Sequence, residues 1–87
     1  MRKTAFTPDA FDHFNEWRDI NKDIQDRIIK LIDDTRRNPF QGIGKPEALK
    51  YDMKGLWSRR INDEHRLVYQ VTEDYILIVS CKYHYTK

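Results

Sequence analysis

A single cysteine, Cys81, stands in 87 residues, so no internal disulfide can form and no cysteine-based zinc cluster can be built. That is compatible with a reducing cytoplasm. No apolar run approaches the ~18 residues that a membrane span needs. The opening Met1-Arg2-Lys3-Thr4 and Pro8-Asp9 turn polar too early for a secretory signal. Neither sign of charge dominates: 16 Lys and Arg against 14 Asp and Glu leave a net of +2, which excludes a basic arm and an acidic tail. Only three glycines are present, and none sits in a phosphate loop closed by Lys-Ser or Lys-Thr. No serine occupies a glycine-flanked elbow. His13, His65 and His84 share no metal-ligand spacing. Membrane, disulfide-scaffold, nucleotide-loop, serine-hydrolase and metal-site readings are thereby set aside, and neither metal nor cofactor is expected.

What remains is unevenly placed. Residues 1–34 hold six Lys and Arg against eight Asp and Glu; residues 35–66 hold eight against four. Positive charge gathers in the middle of the chain, either as ordinary solvated surface or as a groove for a polyanion.

The length fits one domain, spanning 1–87. Residues 3–7 suit a short edge strand. Thr7-Pro8-Asp9 is a helix start: a cap, a proline tolerated at the first position, an acid at the positive end of the dipole. Phe11, Phe14 and Trp17 form one expected core stripe. Ile24, Ile28, Leu31 and Ile32 recur with helical period in a second helix, which Arg36, Arg37 and Asn38-Pro39 close. Residues 40–46 are a loop. Strands are expected over 48–51, 56–61, 65–72 and 75–83, the last apolar on both faces and therefore central. The expected fold is α+β: two N-terminal helices on one face of a mostly antiparallel twisted sheet of four to five strands.

The chemistry-bearing residues lie in the basic half: Lys45, Glu47, Lys50, Arg59, Arg60, His65, Arg66, His84 and Tyr85. Metal-free RNA cleavage needs a base for the ribose 2′-OH, a cation for the phosphorane and an acid for the leaving 5′-oxygen. Glu, Arg and His supply these parts, and an aromatic ring holds a base by stacking. Composition alone leaves a plainer account open. Glu47 pairs with Lys45 or Lys50 in that account, Arg66 pairs with Asp63 or Glu64, and the last residues fray.

Longer blocks carry a resemblance. Asp34-Thr35-Arg36-Arg37-Asn38-Pro39-Phe40, then Gly44-Lys45-Pro46-Glu47-Ala48-Leu49-Lys50, resemble the YoeB type of the RelE toxin superfamily. So do Gly55-Leu56-Trp57-Ser58-Arg59-Arg60-Ile61, Glu64-His65-Arg66-Leu67-Val68-Tyr69 and Cys81-Lys82-Tyr83-His84-Tyr85. Thr86-Lys87 extends past the usual tyrosine end. The resemblance implies a type II toxin that cuts mRNA in the ribosomal A site, leaving a 2′,3′-cyclic phosphate and a 5′-hydroxyl. It implies a YefM-like antitoxin whose C-terminal segment folds on the toxin, operator DNA bound only through that complex, and room for a homodimer. By the same resemblance Glu47 is general base, Arg66 phosphate clamp, His84 general acid and Tyr85 the orienting ring. Lys50, Arg60, Arg59 and Lys45 are the RNA-binding cations, and His65 is structural or supporting. A non-catalytic module of the same fold and a plain RNA-binding domain are the competing readings.

One geometric expectation is separate. If Glu73-Asp74 is a two-residue turn, Arg66 faces Cys81 and shares its side of the sheet. His84 then reaches Arg66 only through a bulge, a longer turn or a tail leaving the strand, and the tail is favoured.

Overall fold

The computed structural model describes residues 1–83. His84, Tyr85 and the two residues after them lie outside the described residues. The chain runs β1 (Lys3–Phe6), α1 (Pro8–Ile20), α2 (Lys22–Arg37), β2 (Glu47–Ala48), a 3-10 turn (Tyr51–Met53), β3 (Leu56–Arg60), β4 (Arg66–Val71) and β5 (Tyr75–Ser80).

The helices begin and end where their caps dictate. The Thr7 hydroxyl accepts from the Ala10 amide, and the Asn21 side chain accepts from that of Asp23. Asn38 closes α2, its amide donating to the Asp34 carbonyl. The buried stripe of α2 is Ile28, Leu31, Ile32 and Thr35, with Ile24 half-buried against it. On α1 the expected stripe needs correcting: Phe11 is 54% exposed, and Ala10, Phe14 and Trp17 face the core instead. Three-residue steps drift by ~60° each around a helix, so residues 11 and 17 point ~120° apart, whereas 10, 14 and 17 share a side.

The strands lie in the order β1-β5-β4-β3-β2, one five-stranded sheet. All neighbours are antiparallel except β1 and β5, which run parallel with Lys3 beside Tyr75 and Phe6 beside Ile78. The strand expected over 48–51 is shorter and earlier, because the chain leaves the sheet after Ala48 and turns through Tyr51–Met53. The last strand stops at Ser80, and β5 is interior, between β1 and β4.

Leu67, Tyr69, Ile76, Ile78 and Cys81 join Ile28, Leu31 and Trp17 in one buried cluster. Each such apolar side chain contributes about 1.5–3 kcal/mol on burial. This cluster lies on the sheet face the helices cover. Alternation puts the neighbours of these strand residues on the other face.

The turn at Glu73-Asp74 is tight, as expected: the Thr72 amide donates to the Tyr75 carbonyl at 2.9 Å. The register then slips. Tyr69 pairs with Ile78 but Val68 pairs with Ser80, leaving Val79 extra on β5. Of the three devices considered, the bulge is therefore present. It displaces the pairing of Arg66 beyond Cys81, and the Arg66 amide donates to the Tyr83 carbonyl at 3.0 Å. The favoured device, a tail leaving before His84, falls outside the described residues.

Candidate functional site

Register and alternation select one face of the sheet. Glu47 pairs with Ser58, Ser58 with Val68, and Val68 with Ser80, so the four share a side across four strands. Arg60 and Arg66 pair directly and lie two residues along from Ser58 and Val68, hence on that same side, away from the helices. Ser58, Val68 and Ser80 are buried at its centre; Glu47 and Arg60 are exposed, and Arg66 is half-buried. From sheet spacings, the Cα atoms of Glu47 and Arg66 stand ~12 Å apart, with long side chains on both sides of the gap.

Two arginines facing each other across a sheet repel, at a cost of some tenths of a kcal/mol. Little in the surroundings offsets this. The Arg66 Nη1 donates to the carbonyls of Asn62, Asp63 and His65, which orient the guanidinium without neutralising it. Arg60 approaches Asp63 Oδ1 only at 3.9 Å, and that carboxylate is fully exposed. Arg66 has no carboxylate partner among the described residues, so the plainer account, an ion pair with Asp63 or Glu64, does not describe it. Glu47 likewise forms no ion pair with Lys45 or Lys50 among the described residues. Lys45 and Lys50 are exposed on either side of β2 along the chain, Lys45 with φ +52° and Lys50 at the entrance to the 3-10 turn.

Arg59 does not belong to this set, which corrects its expected place among the RNA-binding cations. It is completely buried on the helix-covered face. Its five N–H donors are all engaged. Nε donates to the Tyr69 hydroxyl, Nη1 to Asp34 Oδ2 and the Ile43 carbonyl, and Nη2 to the carbonyls of Asn38 and Gln41. The Tyr69 hydroxyl in turn donates to the Pro39 carbonyl at 2.7 Å. Arg59 thus ties the 38–43 loop to the sheet just before Lys45 and Glu47. Its hydrogen bond holds the Asp34 carboxyl below the usual carboxylate range, while burial pushes the Tyr69 phenol up. Gly42, at φ +124°, lies against the Asp34 carboxylate, and a Cβ there would meet Oδ2 at 2.0 Å.

Trp57 is half-buried and packs on Phe40 at 4.9 Å, beneath the same loop, in keeping with a core or interface role. His65 is buried against Trp17, with ring centroids 4.7 Å apart, and its Nδ1 accepts from the Tyr83 amide at 2.7 Å. Cys81 is buried and its thiol is pushed up to about 12 by desolvation, which makes it a poor nucleophile. Among the described residues no three His, Cys, Asp or Glu are grouped to hold a metal ion, and no helix is long and apolar enough to cross a membrane. Glu47, Arg60 and Arg66 are therefore brought together, Lys45 and Lys50 flank them, Arg59 is excluded, and His84 and Tyr85 lie outside the described residues. Asp34, whose pairing with Arg59 sequence reasoning missed, was signalled only as the first residue of the Asp34-to-Phe40 block.

Two helices on a five-stranded mixed sheet, with the helix-free face carrying the charge, make this a toxin fold of the RelE-like kind. The chain belongs to the family described as YoeB-like toxin of bacterial type II toxin-antitoxin system, whose model matches residues 6–85. It is 51% identical to the toxin YoeB of Escherichia coli K12 over 95% of this chain and 99% of that protein. A YoeB dimer from Staphylococcus aureus is 45% identical with a TM-score of 0.90, covering 97% of this chain and 98% of the other. The toxin in a YoeB-YefM complex from the same organism is 45% identical with a TM-score of 0.88, covering 98% and 99%.

Proposed function

We propose that this toxin is a ribosome-dependent mRNA endoribonuclease that works without metal. The observation that carries the reading is the Arg60–Arg66 pair, met only by the exposed Asp63 at 3.9 Å from Arg60, on the same sheet face as a Glu47 with no ion pair among the described residues. Such a face is organised for a phosphodiester, whose charge relieves the repulsion. Glu47 takes the proton of the ribose 2′-OH; the 2′-oxygen attacks phosphorus as the bond to the 5′-oxygen breaks. Arg66, with Arg60 beside it, holds the charge that builds on the non-bridging oxygens. His84 delivers a proton to the leaving 5′-oxygen, and Tyr85 orients the nucleotide. The products are a 2′,3′-cyclic phosphate and a 5′-hydroxyl. Lys45 and Lys50 flank Glu47 as further contacts to the RNA backbone.

The same reading gives the chain its partners. A YoeB of Staphylococcus aureus occurs with YefM and another as a dimer. We assign this toxin a YefM-like antitoxin that covers the charged face, a cytoplasmic setting, a homodimeric form and joint repression of its operon through the antitoxin's hold on operator DNA. The deciding experiment presents programmed ribosomes to the purified toxin and maps the ends of the cut mRNA. Glu47→Gln should lower the cleavage rate by ~10²–10⁴ and Arg66→Gln by ~10²–10³. Cutting by Glu47→Gln at the parent rate, or ends carrying a 3′-hydroxyl, would defeat the mechanism.

A further inference from the structure

The three described residues after β5, Cys81, Lys82 and Tyr83, are fastened mostly by side chains that the cleavage reaction does not use. Trp17 Nε1 donates to the Cys81 carbonyl at 2.9 Å, and the Cys81 amide donates to His13 Nδ1 at 3.3 Å. Lys82 Nζ pairs with Glu16 at 2.9 Å while lying over the rings of Trp17 and Tyr83. The Tyr83 amide donates to His65 Nδ1 at 2.7 Å, and the Tyr83 carbonyl accepts from the Arg66 amide at 3.0 Å. Tyr83 itself has φ +69°, a conformation that costs a non-glycine residue of order 1 kcal/mol and persists only where surroundings enforce it. Its ring is largely exposed, touching the His65 ring at 5.9 Å between centroids and Lys82 Nζ at 5.5 Å.

We propose that His65 is a positioning residue for cleavage, its Nδ1 fixing the backbone of Tyr83, the residue that precedes His84 in the chain. The inference rests on the nuclease reading above. Nδ1 accepts a hydrogen bond from the Tyr83 amide, so in the neutral ring the hydrogen sits on Nε2, on the side where Glu64 Oε1 lies at 3.7 Å. His65 and Arg66 are consecutive. One grips the Tyr83 N–H by side chain, the other grips its C=O by backbone. Arg66 and Tyr83, the residue before the proposed acid, are thereby held in one frame. A carbon side chain at 65 removes the acceptor and leaves the Tyr83 amide unpaired against the core.

Two substitutions separate this role from simple packing. His65→Phe keeps a ring against Trp17 but removes the acceptor; His65→Asn places an amide oxygen near the former Nδ1. Cleavage on programmed ribosomes is measured together with hydrogen exchange at the Tyr83 amide in the full chain. His65→Phe should stay folded, lose protection at that amide, and lose ~10–100-fold in kcat with KM little changed, as misplacement of a reacting group does. His65→Asn should restore both protection and most of the rate. Trp17→Phe, which removes the bond to Cys81 but keeps an aromatic ring, should reproduce the loss more weakly. The role is overturned if His65→Phe cuts at the parent rate, if it unfolds, or if His65→Asn rescues neither reading. Should the parent protein cut no RNA, the nuclease reading fails and the role in catalysis falls with it. The amide exchange would then report separately whether His65 holds Tyr83.

Discussion

Arg59 and Arg60 are neighbours in the chain and opposites in the structure. Arg59 points into the helix-covered side, where every one of its donors meets an acceptor and one acceptor is a carboxylate. Arg60 points to the other side, where it opposes a second arginine and its nearest carboxylate is exposed at 3.9 Å. One face spends its charge on holding a loop; the other leaves its charge unspent. Charge that is satisfied internally supports the fold, and charge that is not is available to a ligand.

The sharpest way to break this contrast is to exchange the roles by mutation. Arg59→Leu strands the Asp34 carboxylate and the carbonyls of Asn38, Gln41 and Ile43. Asp34 is a third exposed, so the cost falls below the ~3–5 kcal/mol of a fully buried pair but, with three loop carbonyls also losing their donor, still takes a large share of the ~5–15 kcal/mol a domain possesses. Denaturant unfolding should show Arg59→Leu barely folded at 37 °C, whatever its activity. If it is as stable as the parent, the buried network is ornamental.

Acid probes the same network less severely. Arg59 holds the Asp34 carboxyl below its ordinary value. The stability from this pair is therefore complete above pH ~4, where an unfolded aspartate ionises, and is lost as pH falls through the depressed value. Melting temperature should fall steeply below about pH 4. Asp34→Asn should begin lower at neutral pH and show a shallower acid fall; identical slopes would mean that other carboxylates govern acid unfolding.

On the opposite face the effects reverse in kind. Arg60→Gln relieves a like-charge opposition, so unfolding free energy should be unchanged or rise by up to about 0.5 kcal/mol. Its affinity for the ribosome–mRNA complex should fall, with the slope of log affinity against log salt shallower by ~0.7, one single-strand phosphate contact. A marked loss of stability would place Arg60 with Arg59 after all. The smallest expected effect is at Cys81, whose thiol is buried and raised to about 12. Alkylation at pH 8 should be negligible in the folded toxin and rapid in denaturant; fast labelling of native protein would show that the segment after β5 opens readily.

The resemblance implied RNA contacts for both Arg59 and Arg60, which strand alternation alone contradicts. The period-two rule forbids consecutive strand residues from facing the same way, so Arg59 and Arg60 could never both have met RNA. The sequence did not say which of the two was buried, because that depends on Asp34, Tyr69 and three loop carbonyls converging from distant positions. The helices were readable because Thr7, Asn21 and Asn38 act locally, through bonds spanning two to four residues. Phe11 misled because three-residue spacing imitates a stripe while drifting around the helix. The partner of β1 was not readable, since alternation gives a strand its faces but not its neighbour. The bulge at Val68/Tyr69 was anticipated only as one of three devices, as no glycine marks it. Glu47, Arg60 and Arg66 came together through register, which the resemblance implied and local pattern did not.

The pairing of β1 with β5 has a consequence in time. Lys3 finds Tyr75 as its neighbour, and Phe6 finds Ile78, so the first strand made waits for the last described strand before it can dock. Contacts so distant along the chain close slowly and late. Until β5 is made, both helices and strands β2 to β4 can form, but β4 lacks its neighbour from Val68 to Val71. A sheet of this topology therefore closes last at its β1–β5 seam, joining the first strand to one made about seventy residues later.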